Sequence, residues 1–126
     1  MAQLILLDTD IVLDYLLGVE SATQTEGLLT DGNTALSAVT VFELFAGVQS
    51  PRHIRQRGEL LELCEVLPVT KAVARSAAQM YTDLKAAGSL IPNEDLLIAA
   101  TALETPCPLL TRNRSHFDRI PGLLLY

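Results

Sequence analysis

Short apolar runs of strand length recur along this chain, and each is followed by a segment with helical spacing. Leu4 to Leu7 is a continuous apolar run, as in a buried central strand. A helix is predicted from Asp10 to Leu17, stopping at Gly18. Another covers Ser21 to Thr30 and closes on the turn Asp31-Gly32-Asn33. Ala35 to Ala38 reads as the second strand and Val41 to Val48 as a helix. Ser50-Pro51 then interrupts before a helix from Arg52 to Cys64. Val66 to Val69 is the third strand, followed by a long amphipathic helix from Lys71 to Ala87 that stops at Gly88. Pro92 precedes a helix from Glu94 to Glu104. Leu109 to Thr111 and Leu123 to Leu125 are the last strands, the second at a sheet edge. This alternation predicts an α/β fold with a mostly parallel sheet covered on both faces. Sheets of that kind bind ligands beyond the carboxyl ends of their strands, so the residues just after each strand are where chemistry is expected.

The chain has 126 residues without linker, repeat or low-complexity tract, which fits one domain over residues 1–126. Hydrophobic residues make up 49%, enough for a core without disulfides. No apolar run approaches the roughly 20 residues that span a membrane. The N-terminus has no signal-peptide pattern, so a cytoplasmic location is expected. Cys64 and Cys107 lack metal-ligand spacing and read as small buried hydrophobes. The net charge of −6 argues against a general nucleic-acid binder. It is compatible with a nuclease, because carboxylates around a divalent metal make a protein acidic while the ion reverses the local field.

Three acids follow the strands. Asp8 directly follows the first, with Asp10 and Asp14 nearby; Glu43 falls in the first turn of the helix after the second; Asp95, beside Glu94, falls in the first turn of the helix after Pro92. Each position also has a purely structural reading. Asp10 can cap its helix, Thr40 and Glu43 have capping-box spacing, and Asn93 can be an N-cap with Glu94 and Asp95 favouring the helix dipole. Context argues for more at Asp8, Glu43 and Asp95, which sit among core-like residues where an unpaired charge is costly. Two carboxylates about 4 Å apart repel by roughly 4 kcal/mol at an effective dielectric near 20. A hard divalent cation such as Mg²⁺ or Mn²⁺ removes that conflict.

The segments LILLDTDIVLDYL, SAVTVFELFAGV, IPNEDLLIAATAL and LLTRNRSHFDRIPGL, in that order, resemble PIN-domain nucleases, and among these the VapC-type toxins of prokaryotic toxin–antitoxin pairs. The likeness covers essentially the whole chain. It implies a three-layer α/β/α sandwich and Mg²⁺- or Mn²⁺-dependent cleavage of RNA by water, leaving a 3′-hydroxyl and a 5′-phosphate. It places the family's acids at Asp8, Glu43 and Asp95, as metal ligands direct or through water. The fourth family position, often Asp, is here Asn113, which can ligate through its carbonyl oxygen or hold a water; Asp118 is the alternative and ranks below it. Arg112, Arg114 and Arg119, beside Asn113, are candidate phosphate contacts. Arg52, Arg55 and Arg57 read as a solvated helix face, and His53 and His116, in surface stretches, as structural or solvated residues that do not fit a general-base role. The resemblance also implies a homodimer and a separate antitoxin protein.

Two other classes compete. LILLDTDIVL fits the opening motif of haloacid-dehalogenase-type phosphatases, with Asp8 as nucleophile and Asp10 as general acid; Lys71 could supply the required lysine, but LLTRN offers no acidic pair. A non-catalytic binding module is the other. A receiver domain lacks its acceptor Asp in EVLPVTK, whereas a degenerate PIN fold serving only as a partner scaffold stays open because of Asn113.

Overall fold

The computed structural model describes residues 3–126. Its elements run β1 (Ile5–Leu7), α1 (Thr9–Leu16), a single 3₁₀ turn (Glu20–Ala22), α2 (Thr23–Asp31), β2 (Thr34–Ser37), α3 (Ala38–Phe45), α4 (Pro51–Glu62), β3 (Glu65–Leu67), α5 (Lys71–Ala86), α6 (Asn93–Glu104), β4 (Leu109–Leu110) and α7 (Arg114–Phe117). The four strands form one parallel sheet in the order β3-β2-β1-β4. The chain therefore winds outward from β1 through β2 to β3, then returns to add β4 on the other side of β1. The strand order reverses between β1 and β4, which opens a crevice at their carboxyl ends.

Side-chain alternation along the strands builds two cores. Leu6, Ala35 and Leu109 point to one face and pack with Val73, Ala77 and Leu84 of α5, Leu96 and Ala99 of α6, and Phe117. Ile5, Leu7, Leu36 and Leu110 point to the other and pack with Val12, Leu29, Leu44 and Leu60. Sheet and two helical layers make the α/β/α sandwich that the alternation and the resemblance imply. In α6 the residues Ile98, Ala99, Ala100, Thr101 and Ala102 are all buried, so this helix is enclosed by its neighbours. Both cysteines are unpaired, and burial pushes both thiols above their ordinary range; Cys107 is a buried core residue as expected, whereas Cys64 is only partly buried and accepts from the Thr34 hydroxyl.

Several local expectations shift. The second strand ends earlier than Ala38, because the Ser37 hydroxyl caps α3 by accepting from the Val39 N–H at 3.0 Å. The helix predicted over Val41 to Val48 therefore occupies Ala38–Phe45. Thr40 lies inside it rather than at its start, and the Thr40–Glu43 capping box does not form. Asp8, not Asp10, occupies the N-cap of α1. Pro92, not Asn93, occupies that of α6, with no side-chain cap. Leu123 to Leu125 contributes a single bridge, Leu125 to Leu109, at the β4 edge. Among the described residues no helix is long and apolar enough to cross a membrane.

Phe117 anchors the short α7 in the core at 1% exposure. Phe117→Ala is expected to cost about 3–5 kcal/mol, the usual range for deleting a buried ring. Urea unfolding of wild type and variant measures this; a loss below about 1 kcal/mol would mean the site collapses around the gap.

Candidate active site

The crevice between β1 and β4 is closed by one side chain. Asp8 follows β1 at 3% exposure. Its Oδ2 accepts from the Thr111 hydroxyl at 2.7 Å, just past β4, and its Oδ1 from the Thr9 N–H at 2.8 Å. Its own N–H donates to the Leu110 carbonyl at 2.9 Å, so backbone and side chain both tie the two strand ends together. Burial pushes the Asp8 carboxyl above the usual range. The bonds from Thr111 and Thr9 pull it back, and the nearby charges of Asp95 and Asp10 push it up again.

Thr9 connects this acid to the next. Its hydroxyl donates to Glu43 Oε1 at 2.7 Å, and the fully buried Thr40 hydroxyl lies 2.9 Å from the Thr9 Oγ1 atom. With the Thr9 proton committed to a carboxylate, Thr40 is the donor in that pair. α3 thus delivers both groups: Thr40 from the turn that faces the sheet and Glu43 one turn further on.

Asp95 sits in the first turn of α6, and its Oδ2 is 2.9 Å from His116 Nδ1. The sequence reading of His116 as structural or solvated names no partner for it, and the structure supplies one. The residues are 21 apart, and only the packing of α7 against α6 joins them. The structure therefore brings Asp8 and Glu43 together through Thr9, and Asp95 close enough to act on Asp8 electrostatically.

Asn113 lies at this rim without ligating any of the three acids. Its amide donates to Asp10 Oδ2 at 3.0 Å and its backbone N–H to Thr111 Oγ1 at 2.9 Å. Asp118 is exposed at the far end of α7. Arg112 pairs with Asp14 at 3.0 Å and lies 3.9 Å from Asp10. Arg114 and Arg119 each donate to a backbone carbonyl, those of Tyr126 and Ser89. Arg52, Arg55 and His53 are exposed on α4.

Among the described residues no three His, Cys, Asp or Glu side chains gather closely enough to form a ready-made metal cage. The donors present are carboxylate and hydroxyl oxygens around a carboxylate whose burial and like-charged neighbours both work against ionisation. That chemistry fits a hard cation held by one or two carboxylates with water completing its shell, the usual manner of Mg²⁺.

The PIN domain family model matches residues 5–123. Ribonuclease VapC1 of Methanocaldococcus jannaschii is 32% identical over 124 residues, covering 97% of this chain and 86% of that protein. Ribonuclease VapC10 of Mycobacterium tuberculosis is 34% identical over 121 residues, covering 95% and 90%. Among solved structures, VapBC2 of Rickettsia felis bound to a DNA fragment from its promoter superimposes with a TM-score of 0.82 at 28% identity, covering 98% of each chain. DNA-bound VapBC of Salmonella typhimurium shares the fold, with a TM-score of 0.87 at 22% identity over 99% of this chain and 98% of that one.

The raised Asp8 carboxyl makes the folded chain bind that proton more tightly than the unfolded chain does. Its contribution to stability is fully present below the unfolded value near 3.8 and is lost as pH rises through the folded value. Asp8→Asn keeps a capping side chain and removes the charge. In EDTA at neutral pH the variant is expected to melt higher than wild type, with the gap closing as pH falls. A lower melting temperature at neutral pH would show that the bonds from Thr111 and Thr9 outweigh the cost of burial.

Proposed function

The chain belongs to the PIN domain family, and on that footing we propose that it is an endoribonuclease, the toxin of a VapBC-type toxin–antitoxin pair. The observation that carries this reading is the buried Asp8, joined to Glu43 through one threonine and facing the charge of Asp95 at the sheet's switch point. Mg²⁺ or Mn²⁺ held by Asp8, Glu43 and Asp95, directly or through water, would supply charge neutralisation on the phosphodiester and a more acidic water.

The chain's own residues orient that chemistry. Thr111 and Thr9 fix both oxygens of Asp8, Thr9 fixes Glu43 and is itself held by Thr40, and Asn113 holds Asp10 at the rim. Arg114 and Arg119 are exposed and each uses one contact to a backbone carbonyl, which leaves most of the five guanidinium donors for RNA phosphates. Arg112 is more fully engaged with Asp14 and Asp10, so it steadies the rim first and meets phosphate second. The phosphatase alternative needs a free general acid at Asp10, and Asp10 is bonded to Asn113 and close to Arg112.

The relatives crystallised as VapBC complexes support an antitoxin protein as partner. A homodimer and a cytoplasmic location complete the reading. Exposed Phe42, next to Glu43, and the exposed Tyr81 of α5 are apolar surface available to such contacts.

Two measurements test it. Saturating Mn²⁺ at about 100 times its dissociation constant should stabilise the fold by roughly 2.7 kcal/mol over EDTA; an unchanged melting curve removes the metal site. Asp8→Asn, Glu43→Gln and Asp95→Asn should each lower cleavage of a single-stranded RNA by at least about 100-fold, the scale of losing a group that stabilises transition-state charge. Asp10→Ala should cost clearly less. Equal loss at Asp8 and Asp10 would favour the phosphatase, which hydrolysis of a chromogenic phosphomonoester would reveal.

A further inference from the structure

We propose that His116 is a positioning residue for Asp95: its Nδ1–H holds one carboxylate oxygen so that the other is presented to the site. This rests on the reading of Asp95 as a metal ligand. A carboxylate can only accept, so at 2.9 Å the Nδ1 atom carries the proton. The bond occupies Oδ2, and no hydrogen bond among the described residues reaches Oδ1.

The ring is fixed from behind. α7 is one turn long, and its register is set by Phe117, buried next to His116, and by the His116 N–H donating to the Asn113 carbonyl at 3.0 Å. α7 also packs against α6, the helix that bears Asp95. The same short segment thus sets Asn113 against Asp10 and His116 against Asp95, so both flanks of the acidic centre are aligned by residues 113–117. The pair is half-buried, with side-chain exposures of 37% for His116 and 17% for Asp95. The bond is therefore partly shielded from water, while the ring edge stays accessible. Hydrogen bonds to ligating carboxylates fix their orientation, and losing such a partner typically costs 10–100-fold in metal affinity.

Two isosteres separate positioning from general support of the fold. An Asn amide can place its N–H where Nδ1 lies, whereas a Gln amide reaches toward the Nε2 position. Mn²⁺ affinity is measured without RNA, by titration calorimetry, on wild type, H116N, H116Q and H116A. Melting in EDTA is measured on the same four proteins. The dissociation constant should rise about 10–100-fold in H116A and H116Q and stay close to wild type in H116N. Affinity that is equal in all four proteins, or lost in H116N as fully as in H116A, overturns the assignment. So does a loss of affinity that only tracks the loss of melting temperature. If wild type itself binds no Mn²⁺, the metal reading falls and takes this inference with it. If wild type binds and the variants do not differ, this inference alone falls.

Discussion

The Asp8 carboxylate is buried at the carboxyl ends of two parallel strands, where a charge without partners would be strongly disfavoured. Its retention depends on β1 and β4 lying side by side, because that adjacency brings the Thr111 hydroxyl to Oδ2. The strand order places Asp8 at the reversal point of the sheet, the one place where the covering connections diverge and leave the strand ends open. α1 begins immediately beyond it, so a single side chain both caps a helix and floors the crevice.

The acids are linked by hydroxyls rather than by cations. Thr111 donates to Asp8 and Thr9 to Glu43, with Thr40 donating in turn to Thr9, and none of them cancels the acids' charge. The chain's arginines stand further out, with Arg112 drawn to Asp14 and Asp10 at the rim. Negative charge is therefore concentrated inside and balanced only at the margin. In a chain of net charge −6, the proposed cation would also lower the repulsion between this centre and RNA phosphates.

Much of this was legible in the sequence. Strand-length apolar runs, each followed by helical spacing, are set by backbone geometry and burial, and they gave the layered parallel fold. Asp8 was conspicuous because it terminates an apolar run, and Asp95 because it opens one. What stayed hidden depends on contacts between distant residues. Ser37 took the cap of α3, which sequence spacing had assigned to Thr40, because its hydroxyl meets the Val39 N–H directly after the strand. Thr40 was then free to turn inward and meet Thr9, a contact 31 residues apart. The His116–Asp95 bond and the engagement of Arg112 with Asp14 were equally out of reach, since each requires the helices to be docked. Asn113 was singled out as the departure from the family pattern. Its partner, Asp10, is a helix cap or a phosphatase's general acid in the sequence reading, and neither role points to Asn113.

The Asp8–Thr111 bond joins positions 103 apart, and β4 is among the last elements in chain order. A polypeptide emerging from the ribosome carries Asp8 and Glu43 long before Thr111 is available, and Asp95 only shortly before it. Until β4 docks, Asp8 has lost one of its two hydrogen-bond partners and the crevice lacks its second wall. The bond that completes the surroundings of Asp8 thus forms only once the last strand has been made, although Asp8 itself is among the first residues translated.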